Sequence, residues 1–203
     1  MEVSNNTIDR LCKVFGYLDV LEEKTIDFIS SKDLAKAIGA TNDTVRKDLS
    51  LVGVTGFTRK GYEVVSLKEQ LGDKLKLKAQ RKACIVGLGR LGTALLDYEK
   101  FKEDGFEIVA GFDSSVNKIE RIRTQIDVFA VSQLEDIVKG KNIEMGIIAV
   151  PAKSAQGIAD RLVEAGVKGI LNFSPVEVSV QEDIIYAGID FTSALRSIAA
   201  RFK

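Results

Sequence analysis

Lys82-Ala83-Cys84-Ile85-Val86-Gly87-Leu88-Gly89-Arg90-Leu91-Gly92 is the stretch whose reading decides the fold. An apolar run of strand length ends in glycines spaced G-x-G-x-x-G, and a helical pattern follows at Thr93-Ala94-Leu95-Leu96. A second apolar run, Phe106 to Phe112, ends on Asp113. Strand, glycine turn, helix, strand and acid in that order make a dinucleotide-binding fingerprint. Gly87 permits the tight turn, Gly89 lets the backbone approach a pyrophosphate, and Gly92 lets the helix pack close on the strand. Leu88, Arg90 and Leu91 complete the turn, and the helix start offers free N–H groups to phosphates. A carboxylate at 113 suits a ribose diol and repels a 2′-phosphate, which predicts NAD(H) over NADP(H). Lys118, Arg121 and Arg123, close in sequence, act against that preference. The alternative is a Rossmann-like core that holds no nucleotide.

From Lys82 onward, strand and helix patterns alternate, the signature of an α/β doubly wound parallel sheet. Ile126 to Val131 reads as a short strand, followed by a helical piece to Val138. Glu144 to Val150 is a buried-type strand stopped by Pro151, and Ala152 to Ala165 has helical spacing. Val167 to Phe173 is a further strand, ending at Asn172-Phe173-Ser174-Pro175. Val150, Pro151 and Asn172 thus fall at the carboxyl edge of the sheet, where such folds bind ligands. The prolines serve equally well as loop punctuation.

The chain has 203 residues, formal net charge zero, no histidine and two cysteines. Without histidine, imidazole bases, Ser-His-Asp triads and His-ligated metals are excluded, and two isolated cysteines make no zinc site. Cys12 and Cys84 are expected as buried free thiols, in keeping with a cytoplasmic setting. No apolar run reaches the roughly 20 residues of a membrane span, and no secretory leader pattern opens the sequence. Neutral overall charge argues against general nucleic-acid coating and leaves room for a local basic face.

Ahead of the glycine stretch, Ile8, Leu11, Cys12, Phe15, Leu18 and Leu21 share one helical face, with Asn5 or Asn6 as cap. Thr25 to Ile29 is β-prone. Ser30-Ser31 precedes a helix that stops at Gly39, and Thr41 caps another with Val45, Leu49 and Val52 inward. Two short helices about a turn form a helix-turn-helix, whose second helix carries Asn42, Thr44, Arg46 and Lys47. Gly53, Gly56 and Gly61 then punctuate a β-prone segment that reads as a hairpin wing with Arg59 and Lys60 near its tip. Asn42, Thr44 and Arg46 are the candidates for base edges, and Lys47, Arg59 and Lys60 for phosphates or a narrow groove. Ser66-Leu67-Lys68-Glu69 fits a capping box for a helix along Leu67, Leu71 and Leu75. The domain boundary falls between about Leu77 and Arg81. The reading is therefore residues 1–79 as a winged-helix DNA-binding domain, 80–189 as a Rossmann-type domain and 190–203 as a terminal helix. Phe191, Leu195, Ile198 and Phe202 align on one face of that helix, fitting its own domain or a dimer partner.

A winged helix followed by a compact dinucleotide fold resembles the Rex family of bacterial redox-sensing repressors. The resemblance is carried by Val45-Arg46-Lys47-Asp48-Leu49-Ser50, Gly61-Tyr62, the glycine motif with Tyr98, and Phe112-Asp113. Ile148-Ala149-Val150-Pro151, Ala155-Gln156, Gly169-Ile170-Leu171-Asn172-Phe173 with Pro175, and Ile189-Asp190-Phe191 extend it over nearly the whole chain. It implies a homodimer with the terminal helix swapped into the partner near the nicotinamide, Phe191 against the partner's cofactor and Asp190 in a switch with Tyr98. It also implies palindromic operator DNA bound by the free or NAD+-loaded dimer and released by NADH. Three positions depart from the family pattern: Val14-Phe15-Gly16 stands where Tyr-Leu-Arg is usual, the wing cation is shifted, and Leu51 replaces an aromatic residue. The first removes the arginine that pairs with the acid of the swapped helix and bears on the NADH response; the others bear on operator preference.

Alternative functions are a small NAD-dependent oxidoreductase, which lacks an evident acid–base pair, and a CoA-binding-type subunit, in which a helix-turn-helix has no role. A Rex-like repressor without NADH response also fits Gly16. The reading favoured is a non-enzymatic, NAD(H)-sensing DNA-binding protein that holds no metal and meets no membrane.

Overall fold

The computed structural model describes residues 3–57 and 60–202, so Arg59 and the final Lys203 lie outside the described residues. The chain divides into two compact units, Met1–Ala79 and Gln80–Lys203.

In the first unit, α1 (Asn5–Glu23) is capped by the Ser4 hydroxyl rather than by Asn5 or Asn6. It buries Thr7, Leu11, Val14, Leu18 and Leu21. This face is rotated from the one expected, and Cys12 is exposed instead of buried. The cause is polar. The Thr7 hydroxyl donates to Asp48 Oδ1 at 3.2 Å, and Arg10 donates to both Asp48 oxygens at 2.6 and 2.9 Å. Asp48 is 4% exposed, so its charge is compensated inside the unit and α1 must turn Thr7 inward to help do it.

After β1 (Phe28–Ile29), Ser30 caps α2 (Ser31–Ile38), which ends at Gly39 in the left-handed region, φ +69°. Thr41 caps α3 (Asn42–Leu51), accepting from the Thr44 amide. Val45, Asp48 and Leu49 face the core that α1 shares with Leu34, Val64, Leu67 and Leu71. The wing differs from a simple hairpin. β2 (Tyr62–Glu63) pairs antiparallel with β1, and the turn ahead of it is closed by the Phe57–Gly61 bridge. Val64 already opens α4 (Val64–Lys74), so Ser66 lies inside the helix, accepting from Gln70, and the capping box does not form.

In the second unit, six parallel strands stand in the order β5-β4-β3-β6-β7-β8. They are β3 (Arg81–Val86), β4 (Phe106–Asp113), β5 (Val128–Ala130), β6 (Met145–Ile148), β7 (Gly169–Asn172) and β8 (Ile185–Gly188). The first strand is central and the order reverses between it and β6, which is the Rossmann arrangement with its switch point there. Alternation along β3 feeds two cores. Cys84 and Val86 meet α8 (Leu134–Lys141) and α9 (Ala152–Glu164) through Leu134, Val138, Ala155 and Leu162. Ala83 and Ile85 meet Leu88, Leu96, Ile108 and Ile147 on the other face. Cys84 is fully buried, and burial pushes its thiol up to about 12, which keeps it protonated and inert.

Candidate functional site

The glycine turn joins β3 to α5 (Arg90–Leu96) at the carboxyl edge of the sheet. The three glycines do different work. Gly87 has φ +98°, and a Cβ there would stand 2.6 Å from the Ala149 carbonyl oxygen, so the turn and the Ala149-Val150-Pro151 segment abut at the switch point. A Cβ on Gly92 would lie 1.9 Å from the Gly87 oxygen, so α5 packs directly on the turn. A Cβ on Gly89 would meet nothing within 4 Å. The protein's own packing does not require glycine at 89, and the bare backbone there faces open space. Gly89 is also the N-cap of α5 with no side-chain cap, leaving first-turn N–H groups without helical partners. Arg90 and Leu91 are exposed on this first turn, while Leu88 is buried beneath it.

Asp113 ends β4 and is 4% exposed. Its Oδ2 accepts the Leu88 amide at 2.9 Å, and its Oδ1 accepts the Ser115 amide at 2.8 Å. Lys118 approaches from solvent, with Nζ 3.1 Å from Oδ2. Burial works against the charge, and these donors outweigh it, holding the carboxyl below the ordinary carboxylate range. The carboxylate therefore does two things: it pins the glycine turn through Leu88, and it stays ionised beside it. Asp113→Ala is expected to weaken NADH binding roughly 10-fold or more, in line with the loss of charge-assisted hydrogen bonds. An NADH titration with unchanged affinity would count against this role, and a thermal melt separates it from collapse of the turn.

Val150 is half-buried and Pro151 is exposed at the neighbouring strand end. Asn172 needs correction as a direct ligand contact. Its amide donates to the Val176 carbonyl and the Tyr186 hydroxyl, and its Oδ1 accepts from the Ser174 amide and hydroxyl, at 2.6 to 3.1 Å. At 1% exposure it has no free donor or acceptor, so it shapes the loop that carries Phe173. Phe173 in turn stacks on Phe191, centroids 6.0 Å apart. Phe191 opens α10 (Phe191–Ala199), which Asp190 caps by accepting the amides of Thr192 and Ser193.

Tyr98 stands apart. It caps α6 (Glu99–Glu103), beyond the far end of α5 from the glycines. It lines a groove with Phe101, Phe106 and Ile108, beside the amino end of β4. Among the described residues of a single chain, no hydrogen bond or ring contact joins Tyr98 to Asp190 or Phe191.

In the first unit, Asn42, Arg46 and Lys47 are exposed along the outer face of α3. Ser50, one turn beyond Arg46 and Lys47, shares that face and was not singled out by residue type. Thr44 falls outside this row: it is half-buried, and its hydroxyl lies 2.7 Å from that of Thr41. Lys60 is exposed in the wing turn, and Arg59 lies outside the described residues.

Comparison with known proteins separates the remaining readings. Residues 2–50 match the family described as "Putative DNA-binding protein N-terminus", and residues 78–176 match that described as "CoA binding domain". Taken alone, the second match would favour a CoA-type subunit. The redox-sensing transcriptional repressor Rex of Carboxydothermus hydrogenoformans is 41% identical over 202 residues, covering 100% of this chain and 97% of the relative. The chain belongs to the Rex family. A second Rex repressor, from Desulforamulus reducens, is 36% identical over 96% of this chain and 93% of its own length. The crystal structure of RSP in complex with β-NADH matches with TM-score 0.87 at 33% identity, covering 99% of this chain and 94% of that one. RSP is a Rex-family repressor, also solved with β-NAD+ and operator DNA. The Rex relatives are named as repressors and not as enzymes, so the glycine fingerprint sits in a regulator rather than in an oxidoreductase. Within the Rex pattern, Gly16 lies exposed on α1, and a Cβ there would meet nothing within 4 Å.

Proposed function

We propose that this chain works as a cytoplasmic homodimer that represses transcription from inverted-repeat operators when free or NAD+-loaded, and releases them when NADH binds. The observation that carries this reading is the open space over Gly89, next to the ionised, turn-pinning Asp113. A dinucleotide fits there with its pyrophosphate against the bare turn and its ribose at Asp113, with Leu88, Arg90, Leu91 and Val150-Pro151 bordering it. The cofactor is read and not consumed.

NAD+ and NADH differ at the nicotinamide by one formal charge and by ring planarity. Discrimination therefore belongs near that ring, to Tyr98 and to Phe191 and Asp190 of the partner subunit. A ligand shifts an equilibrium only by its differential affinity for the two states. Coupling of about 1–3 kcal/mol would change operator affinity usefully, and operator DNA must weaken NADH binding by the same factor. The absence of tryptophan leaves bound-NADH fluorescence easy to isolate. A dimer titrated with NADH is expected to show about 5-fold or more weaker affinity when saturated with operator. Equal affinity with and without the duplex would refute the coupling.

A second reading is favoured by Gly16: with no arginine there to meet the acid of the swapped helix, the NADH response is weakened or lost. Gly16→Arg, whose Cβ would meet nothing within 4 Å, is then expected to enlarge the ratio of the two NADH affinities.

A further inference from the structure

The helix with the exposed row of Asn42, Arg46 and Lys47 also carries a buried charge. Asp48 is 4% exposed and stands between Val45 and Leu49 on the inward face of α3. Its partners come from α1. Arg10 donates from Nε to Oδ2 at 2.6 Å and from Nη2 to Oδ1 at 2.9 Å, a two-pronged grip that fixes angle as well as distance. Thr7, almost one turn earlier on α1, donates to Oδ1 at 3.2 Å. The same hydroxyl accepts from Arg10 and from Ser4, each at 3.1 Å. One proton and two lone pairs are thereby all engaged, so Thr7 is locked in place. Ser4, Thr7 and Arg10, spaced three apart, hold α3 by one carboxylate.

Stability does not call for this arrangement. An apolar pair of similar volume in place of a buried ion pair is often neutral or better, because no charge then has to leave water. What apolar packing does not supply is direction. Val45 and Leu49 are the buried apolar anchors of α3, and contacts of that kind leave a short helix free to roll or slide by fractions of an ångström. Side chains that must meet a partner in one geometry need placement to roughly 0.5 Å and 10–20°. Asp48 directly follows Arg46 and Lys47 in a helix of ten residues, so whatever fixes the roll at 48 fixes it along the exposed row.

We propose that Arg10, supported by Thr7, is a positioning residue for operator discrimination: its fork on Asp48 sets the roll of α3 against α1, and with it the register in which Asn42, Arg46 and Lys47 meet DNA. This rests on the operator-binding reading above.

The test uses the full-length protein, a duplex enriched from a random pool by the wild type, and a mixed-sequence duplex of equal length. Arg10→Met combined with Asp48→Leu removes both charges and keeps the volume. Its thermal midpoint is expected at or above the wild-type value, while affinity for the enriched duplex falls about 10-fold and affinity for the mixed duplex holds. The slope of log affinity against log salt should hold as well, since no phosphate contact is removed. Arg10→Lys keeps the charge and loses the fork, and should lose part of the same discrimination at an unchanged slope. It decides the matter even where the double variant fails to fold. Wild-type discrimination in the folded double variant, or in Arg10→Lys, overturns the proposal and leaves the pair a structural one. Equal losses on both duplexes in the double variant, with a slope lower by about one, overturn it by making Arg10 a phosphate contact. If the wild type enriches no duplex at all, the operator reading fails and the positioning role falls with it.

Discussion

Gly89→Val is expected to abolish measurable NADH binding, a loss of roughly 100-fold or more, while stability falls only by the cost of valine at a helix N-cap, about 1 kcal/mol. The added Cβ would meet nothing within 4 Å from other parts of the chain, so no tertiary clash opposes it. It fills the space that the proposed binding mode gives to the pyrophosphate. Gly92→Ala behaves differently. Its single methyl would stand 1.9 Å from the Gly87 carbonyl oxygen, a backbone atom that cannot swing aside. That variant should lose roughly 2–4 kcal/mol of stability, as over-packed sites with strain do, and lose NADH affinity as a consequence. Thermal unfolding paired with a fluorescence titration separates the two. Wild-type NADH affinity in Gly89→Val would remove the cradle from the glycine turn.

Replacing Leu195 and Ile198 together by glutamate should break the proposed dimer into monomers and cut operator affinity by about 100-fold or more. Phe191, Leu195 and Ile198 lie along one stripe of α10, Phe202 follows three residues past its end because the helix stops at Ala199 rather than running to 203, and all four are more than half exposed in the single chain. Each would gain about 1.5–3 kcal/mol on burial, and a dimer buries two copies of the stripe. The effect on DNA follows from linkage, because two half-sites bound by one dimer reinforce each other and two separate monomers do not. Sedimentation velocity reads the first effect and fluorescence anisotropy of a labelled duplex reads the second. A dimer that persists in the double variant would show that α10 is not the swapped element. Phe191 would then be held only by its own Phe173.

Regular periodicity and capping chemistry made much of this legible in advance. α2 and α3 begin at Ser30 and Thr41 because a hydroxyl there accepts a first-turn amide, and sequence shows both. β3, β4, β6 and β7 are buried runs and read as such. β8 escaped because it is an edge strand with Ile185 78% exposed, so no apolar alternation marks it. The short α6 and α7 (Val116–Ile119) bury no residue and leave no periodic trace.

The remaining misreadings have separate causes: a long-range ion pair at Asp48, a saturated side chain at Asn172 and the length of α5 at Tyr98. Asp48 looks like a surface residue of a polar helix, yet Arg10 and Thr7, about 40 positions earlier, draw it inside and rotate α1 with it. Asn172 looks like a polar group at a ligand-binding edge, yet the following loop and Tyr186 of β8 occupy every position on its amide. Tyr98 is near the glycines in sequence, but the length of α5 carries it away from them, roughly 10 Å for seven helical residues.

The central claim is that NADH is a signal read by a DNA-binding dimer, and operator binding in three cofactor states tests it most directly. One labelled duplex is titrated with the dimer alone, with saturating NAD+ and with saturating NADH, at fixed salt. Tight binding alone and with NAD+, and binding at least 5-fold weaker with NADH, is the predicted result. Identical affinity in all three states would contradict it.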